Sequence, residues 1–326
     1  MTLRYRPLAA TILILLASYA AAVLQFPSML SVRVLTNLLT DNSFLGIVAV
    51  GATFVIISGG IDLSVGAVVG FTSVLLSVLI TWFGIPPLIA FALALVIATL
   101  FGASMGVLIH YLKVPPFIVT LAGMFLARGA ASAITQDSIP INHPLYHWIS
   151  SASFKFEDGA RLSMIGILML VTFIVGGIIL HRTRFGSYVY ALGGNPVSAQ
   201  LMGVPIARTT ISIYAISSFL GGLAGIVYSL YTSAGYPLAA VGLELDSIAA
   251  VVIGGTLLSG GYGFMLGSFV GVILQGLVQT YIVFDGTLSS WWTKIVIGFL
   301  LFLFIVLQRL VFRSGFGRSV EGKYNL

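Results

Sequence analysis

Gly59-Gly60-Ile61-Asp62-Leu63-Ser64-Val65-Gly66 interrupts an apolar run that extends from Ser43 to Trp82. Because one membrane crossing takes about 20 residues, the run is too long for one helix, and we predict two short helices separated by this octet. Asp62 is the only ionisable side chain in the run. A carboxylate at membrane depth usually faces a partner, a cavity or water. The octet therefore predicts a helical membrane protein with a polar break.

A second octet, Gly-Gly-Thr-Leu-Leu-Ser-Gly-Gly at residues 254–261, shares the pattern GG-x-x-L-S-x-G. Paired glycine-interrupted segments point to a transport pathway, although glycine also serves the close packing of membrane helices. We predict two weakly related halves and take nine octet residues as candidates for a translocation path or hinge. They are Gly59, Gly60, Asp62, Ser64, Gly66, Gly254, Gly255, Ser259 and Gly261. For Asp62, the alternative is capping of the helix that begins near Leu63.

The composition indicates an all-α polytopic membrane protein. Of 326 residues, 59% are hydrophobic and 7% are charged, and the mean hydropathy is +1.11, whereas soluble domains carry about 25% charged residues. We expect one transmembrane domain over residues 1–326, with the lipid bilayer as its surroundings. The net charge of +6 reports membrane topology and does not indicate nucleic-acid binding. The chain has no cysteine, which excludes thiol chemistry and disulfides.

The apolar segments predict about ten transmembrane helices. If the N-terminus is cytoplasmic and every segment spans, most basic loop residues lie inside, as the positive-inside rule requires, and both termini are cytoplasmic. The largest periplasmic loop is then about 135–160, and the largest cytoplasmic loop is about 182–210. The ten segments are residues 8–25, 43–58, 64–82, 87–110, 116–134, 161–181, 211–231, 245–258, 263–284 and 288–309.

The cytoplasmic loop contains a predicted two-turn helix. Asn195 is a favoured N-cap residue, Pro196 suits the first helical position, and Gly203 suits the left-handed position that ends a helix. Because so short a helix is marginal alone in water, something must cover its apolar face. Either the ends of the protein's own helices or a cytoplasmic partner could do so. The residues of this helix are Asn195, Pro196, Val197, Ser198, Leu201, Met202 and Gly203.

Several polar residues in or near the predicted helices have two interpretations. Gln275 and Gln279 lie on one helix face and could hydrogen-bond a solute in the path or a neighbouring helix. Glu244 and Asp246 precede a helix on the outer side, where they could stabilise the helix dipole or dock a periplasmic protein. Lys294, beside two tryptophans, fits interfacial snorkelling.

No metal site and no energy source are predicted from the sequence. His143 and His147 are four positions apart, but Pro144 lies between them and prevents the helix that would align them. The chain contains no G-x-x-x-x-G-K-[ST] phosphate loop. It also has no constellation typical of a membrane enzyme, so the chain is expected not to be an enzyme by itself.

The chain resembles the membrane permeases of bacterial ATP-driven (ABC) sugar importers of the ribose and galactose class. Residues 59–66 match the family motif GG-x-D-L-S-V-G, and residues 242–256 resemble G-x-E-L-D-x-I-A-A-V-V-x-G-G-T. Residues 192–195 and 201–203 resemble the family's cytoplasmic loop. Between them the family commonly has Glu-Ala-Ala, whereas this chain has Pro-Val-Ser at residues 196–198.

Two further segments, residues 137–144 and 284–294, resemble the galactofuranose importers within this family. The resemblance implies a heterodimer with a second homologous permease, a cytoplasmic ABC ATPase and a periplasmic sugar-binding protein. It identifies the helix that begins at Asn195 as the coupling helix. ATP and Mg would be used by the ATPase, and no cofactor would be bound by this chain. The alternatives are a permease for another sugar, a nucleoside or a branched-chain amino acid, or a stand-alone channel or carrier.

Overall fold

The computed structural model describes residues 6–156, 159–289 and 291–320. Arg4 and Lys323, two of the basic residues behind the predicted orientation, lie outside these ranges. The helices of the first half are α1 Arg6–Gln25, α2 Val32–Asp41, α3 Ser43–Ile57, α4 Val65–Thr81, α5 Pro87–Tyr111, α6 Pro116–Ile134 and α7 Pro144–Ser151. Those of the second half are α8 Met164–Arg182, α9 Arg184–Gly194, α10 Pro196–Leu201, α11 Ile206–Thr232, α12 Leu243–Ile253, α13 Met265–Asp285 and α14 Trp291–Val320.

Short strands form two small antiparallel pairs beside the helices. Strand β1 (Ile139–Pro140) pairs with β4 (Ala234–Gly235), and β2 (Ser153–Lys155) pairs with β3 (Arg161–Ser163). The predicted all-α membrane architecture is therefore confirmed, because the remaining ordered backbone is helical.

Each of the ten predicted segments contains an α-helix, but the count of ten spans is not confirmed. Among the residues that the structure describes, six helices can cross a membrane by length and apolar character, or seven if α2 and α3, bent by 58° relative to each other, form one span. Helix α12 has 11 residues, which gives a length of about 16 Å against an apolar bilayer thickness of about 30 Å. Helix α4 and the apolar part of α14 are also short.

The packing centre is α11, which lies against α3, α4 and α5. Small residues recur every fourth position on the face of α5 that meets α11. A Cβ at Gly102 would overlap the carbonyl oxygen of Tyr214, and one at Gly106 would lie 2.7 Å from the Cα of Ile211. Lipid supplies no hydrophobic drive between helices, so such close approach provides the dispersion contacts that hold them together. The small residues of this face are Ala90, Ala94, Ala98, Gly102 and Gly106.

Residues 233–242 connect α11 to α12 through irregular backbone that runs along α4. A Cβ at Gly70 of α4 would lie 3.1 Å from the carbonyl oxygen of Ala239. At membrane depth such backbone needs hydrogen-bond partners within the protein. Arg128 of α6 donates to the carbonyl oxygens of Pro237 (2.7 Å) and Ala239 (2.6 Å). Ser73 of α4 accepts from the backbone N–H of Tyr236 at 3.2 Å. These two side chains hold the segment in place.

Candidate functional site

The two glycine octets end the helices that precede them in the same way. After α3, Gly59 has φ +83° and donates to Ile56, and the next N–H donates to Val55. After α12, Gly255 has φ +93° and donates to Val252, and the next N–H donates to Val251. This pattern of two hydrogen bonds is the Schellman motif. The motif favours glycine at the left-handed position, because glycine has no Cβ to clash there.

The helix-ending glycines show that the octets are one residue out of register. Aligning the two sequences pairs Gly59 with Gly254, but the left-handed residue of the second break is Gly255, and Gly254 has φ −63°. Ser64 lies directly before α4, whereas Ser259 lies inside the loop between α12 and α13. The sequence repeat therefore marks two helix ends of the same kind and does not mark two equivalent loops.

The two breaks meet each other and the end of α9. The backbone N–H of Gly261 donates to the carbonyl oxygen of Ile57 at 2.8 Å. A Cβ at Gly260 would lie 2.8 Å from the Cα of Gly59 and 3.1 Å from the carbonyl oxygen of Gly193. A Cβ at Gly193 would overlap the carbonyl oxygen of Ile57. We call Gly59, Gly193, Gly260 and Gly261 the glycine junction. It joins both breaks by direct backbone contact.

Asp62 is buried, and both of its carboxylate oxygens are hydrogen bonded. One oxygen accepts from the backbone N–H of Ser64 (2.9 Å) and from its hydroxyl (2.6 Å). The other accepts from the hydroxyl of Ser217 in α11 at 2.7 Å. The carboxylate thus orders the start of α4 and attaches it to the central helix. This geometry favours the capping interpretation over direct contact with a solute.

We predict that Asp62→Asn keeps most of the activity and that Asp62→Leu does not. The amide keeps one oxygen for Ser64, and its N–H₂ can donate to the Ser217 hydroxyl. Leucine leaves three buried donors without an acceptor, at a cost of more than about 2 kcal/mol. Thermal unfolding in detergent and solute uptake by cells expressing each variant measure the difference. Complete loss of uptake in a well-folded Asp62→Asn protein would show instead that the negative charge itself is required.

Helix α10 has the predicted caps and an uncovered apolar face. The side chain of Asn195 accepts from the backbone N–H of Ser198 at 2.9 Å, and Gly203 ends the helix with φ +80°. Ala199 packs inward, whereas Val197 is 69% exposed and Leu201 is 85% exposed. The described residues do not cover this face, which favours a partner over the ends of the protein's own helices. The helix follows directly from the α9 end that lies in the glycine junction.

The two acidic residues in the first turn of α12 have different environments. Glu244 is only 9% exposed, and a Cβ at Gly66 of α4 would overlap its carboxylate. Its burial makes it inaccessible to a docking protein, which corrects the docking prediction for this residue.

Asp246 forms an ion pair with Lys294 of α14, with its two oxygens 2.5 and 2.7 Å from Nζ. The interpretation of Lys294 as a snorkelling residue missed this pair. The sequence did contain a signal for this ion pair, because Asp246 and Lys294 carry opposite charges and each lies one turn into an apolar helix.

Gln275 and Gln279, predicted on one face of α13, have different environments. The side-chain amide of Gln275 donates to the backbone carbonyl of Asp246 at 3.0 Å, so it binds a neighbouring helix. Gln279 is exposed and lines a cavity of about 410 Å³ between α3, α12, α13 and α14. The structure therefore separates a helix-binding glutamine from a cavity-lining one.

The two histidines of the outer segment have structural partners. The Nδ1 atom of His143 accepts from the backbone N–H of Leu145 at 3.1 Å and caps α7. The Nε2 atom of His147 lies 2.8 Å from the side-chain oxygen of Asn142. Pro144 stands at the first turn of α7, where proline is tolerated, so it begins a helix here and does not break one. The histidines belong to the local fold of this segment.

Comparison with known proteins gives a family match over most of the chain. The family described as "Branched-chain amino acid transport system / permease component" matches residues 34–305. The inner membrane ABC transporter permease protein YjfF of Escherichia coli K12 is 59% identical over 94% of this chain and 92% of its own length. The fructose import permease protein FruG of Bifidobacterium longum is 39% identical over 86% of this chain and 84% of its own. The ribose import permease protein RbsC of Bacillus subtilis is 35% identical over 87% of each chain. No solved structure gives a significant match.

The family match and these relatives, together with the apolar helical bundle, identify the class of protein as a membrane permease. The chain belongs to the ABC-transporter permease family that these matches describe. Permeases of this family are the non-catalytic membrane components of their transporters, and the chain is a multi-pass protein of the inner membrane.

Proposed function

We propose that this chain is the permease subunit of an ATP-driven importer that moves a monosaccharide into the cytoplasm by alternating access. Relatives whose names specify fructose, ribose and xylose import cover more than four-fifths of the chain. They favour a sugar over a nucleoside or a branched-chain amino acid. Galactofuranose is the proposed sugar, on the resemblance of residues 137–144 and 284–294 to importers of that sugar.

The observation that carries this function is the exposed apolar face of α10. Val197 and Leu201 of this six-residue helix and Met202 directly after it are exposed, and the surface of a partner protein would cover these apolar side chains. A stand-alone channel or carrier has no use for such a face. We propose that a cytoplasmic ABC ATPase binds α10 and that this ATPase holds the ATP and Mg. The permease itself then binds no cofactor.

Coupling follows from the position of α10 beside the glycine junction. A displacement of α10 by the ATPase moves the end of α9, which contacts the end of α3 and the loop after α12 through backbone atoms. Because these backbone atoms touch directly, with no side chains between them, a shift of one segment displaces the segments packed against it. Nucleotide binding and hydrolysis would thereby tilt the segments on both sides of the breaks together and open the path alternately to each side.

The proposed assembly has four kinds of subunit. This chain pairs with a second, homologous permease as a heterodimer, with the ATPase in the cytoplasm and a sugar-binding protein in the periplasm. The excess of basic residues in alternate loops supports an orientation with α10 and both termini in the cytoplasm. Purification in mild detergent tests the composition. Recovery of an ATPase and a second permease with the chain supports the assembly, and sugar uptake by liposomes that contain this chain alone contradicts it.

We predict that Leu201→Asp uncouples the transporter. A carboxylate on the face that meets the ATPase would be desolvated without a partner, which opposes docking. We expect sugar uptake by the reconstituted complex to fall at least tenfold, equivalent to about 1.4 kcal/mol, while the chain remains in the membrane. Uptake and solute-stimulated ATP hydrolysis are measured in proteoliposomes.

Leu201→Met is the matched control, because it keeps an apolar side chain of similar volume and should retain coupling. Normal solute-stimulated ATP hydrolysis by the Leu201→Asp complex would contradict the docking role of α10.

A further inference from the structure

We propose that the cavity between α3, α12, α13 and α14 is a binding site for a neutral monosaccharide on its way through the permease. The inference rests on the proposed function and assigns a solute site within this chain. The cavity has a volume of about 410 Å³, within the usual range for small-molecule sites. Its principal polar residues are Asp41, Asn42, Asp246, Gln275, Gln279 and Lys294.

The first argument is the position of the ion pair. Asp246 lies on α12, whose following residues 249–253 are buried, and its backbone carbonyl bonds Gln275 in the middle of α13. These contacts place the Asp246–Lys294 pair at the first turns of α12 and α14, beside the middle of α13. The side chain of Lys294 is 53% exposed and that of Asp246 is 23% exposed. Charges within a membrane helix bundle face a partner or a hydrated pathway, because contact with lipid is costly. The open side of the pair therefore faces a polar content of the cavity.

The second argument is the supply of unused hydrogen-bonding groups. Asn42 uses its amide N–H₂ on the carbonyl of Leu38, which leaves its side-chain oxygen as an acceptor. Gln275 uses its amide N–H₂ on Asp246 and also retains an oxygen. Among the described residues, no partner bonds the side chain of Gln279, which offers two donors and an acceptor. Sugar hydroxyls both donate and accept, so this mixture of groups suits them.

The third argument is the aromatic wall and the charge balance. Trp291 lines the cavity and is 75% exposed, so its ring can cover the apolar C–H face of a sugar. The charges of Asp246 and Lys294 neutralise each other. One carboxylate oxygen of Asp41 accepts a hydrogen bond from the hydroxyl of Tyr231 at 3.0 Å. With one unpaired charge, of negative sign, the cavity disfavours anionic solutes and suits a neutral ring.

Reconstituted transport tests the site. The complete complex in proteoliposomes is supplied with radiolabelled D-galactose, D-fructose, D-ribose and D-xylose, and the sugar moved per ATP hydrolysed is measured. We expect Gln279→Ala and Trp291→Ala each to lower this ratio about fivefold, the effect of one lost hydrogen bond or stacking contact. Gln279→Asn, which keeps a shorter amide, should fall between Gln279→Ala and the wild type. Trp148→Ala is the matched control, because Trp148 is 61% exposed on α7 and does not line the cavity.

A second measurement does not need transport. Millimolar D-galactose should change the tryptophan fluorescence of the purified permease pair, and Trp291→Phe should abolish the change while Trp148→Phe keeps it. Transport by both cavity variants at the wild-type ratio would overturn the site and leave the importer function intact. A wild-type complex that hydrolyses ATP but moves none of the four sugars would overturn the sugar importer and this site together.

Discussion

Gly193→Ala is expected to abolish stable folding of the permease, while Gly194→Ala at the next position is tolerated. A Cβ at residue 193 would overlap the carbonyl oxygen of Ile57 and lie 2.5 Å from the backbone nitrogen of Gly261. Both neighbours are backbone atoms fixed by the hydrogen bond between Gly261 and Ile57, so neither can move aside like a flexible side chain. Overpacking of this kind costs about 3 kcal/mol or more.

Gly194→Ala is a well-matched control, because it makes the same substitution at the next residue along the chain. A Cβ at Gly194 would have no atom within 4 Å, and alanine there loses less chain entropy on folding than glycine. The temperature at which each detergent-solubilised variant loses its monodisperse elution peak measures the contrast. Equal stability of the two variants would show that the end of α9 does not pack into the glycine junction. A folded Gly193→Ala permease whose reconstituted complex hydrolyses ATP without transport would assign the junction to coupling alone.

Arg128→Met is expected to destabilise the protein by about 3 kcal/mol, since two charge-assisted hydrogen bonds are lost. The guanidinium donates to the carbonyl oxygens of Pro237 and Ala239, and methionine fills similar space without a donor. The carbonyl groups of Pro237 and Ala239 would then lose their side-chain donor, which is unfavourable for backbone enclosed within the protein. Their displacement would also disturb the start of α12, and with it Asp246 and the cavity.

The same substitution at an exposed arginine separates this effect from a general loss of charge. Arg33 is exposed on α2, and Arg33→Met should change stability by no more than about 0.5 kcal/mol. Limited proteolysis of the two variants, together with thermal unfolding, locates the change. Cleavage within residues 233–242 in Arg128→Met alone is the expected outcome. Unchanged unfolding of Arg128→Met would contradict the role of Arg128 in holding this segment.

The glycine junction connects the two features that stand apart in the sequence. The octet break and the loop helix α10 look independent, because Gly59 and Asn195 are far apart along the chain. In the fold, Gly193 lies between the end of α3 and the glycines of the loop after α12, and it is three residues before α10. Movement of the docking helix and movement of the breaks are therefore mechanically linked.

Local chemistry was readable from the sequence because it depends on neighbours along the chain. Gly59, Asn195 and Gly203 take the backbone positions that helix-end rules predict, and each of the ten apolar segments contains a helix. Asp62 bonds Ser64, the residue directly before α4, two positions along the chain. Hydropathy was a poorer guide to the number of spans, since a segment as apolar as that around α12 can be a short helix enclosed by others.

The tertiary structure decided which distant groups meet. Asp246 and Lys294 form their ion pair across 48 positions, and Arg128 reaches carbonyls more than 100 positions away. Glu244, for which helix-dipole stabilisation and docking were the two interpretations, lies in the first turn of α12 and is buried against Gly66. Such pairings depend on how helices pack, which local propensity does not specify. The sequence by itself determined a helical membrane permease with a glycine break at residues 59–66 and a capped docking helix. Only tertiary packing brings that break into contact with the second break and with the end of α9, which precedes α10. The physical reason is that such backbone contact requires glycines from three separate segments of the chain to converge.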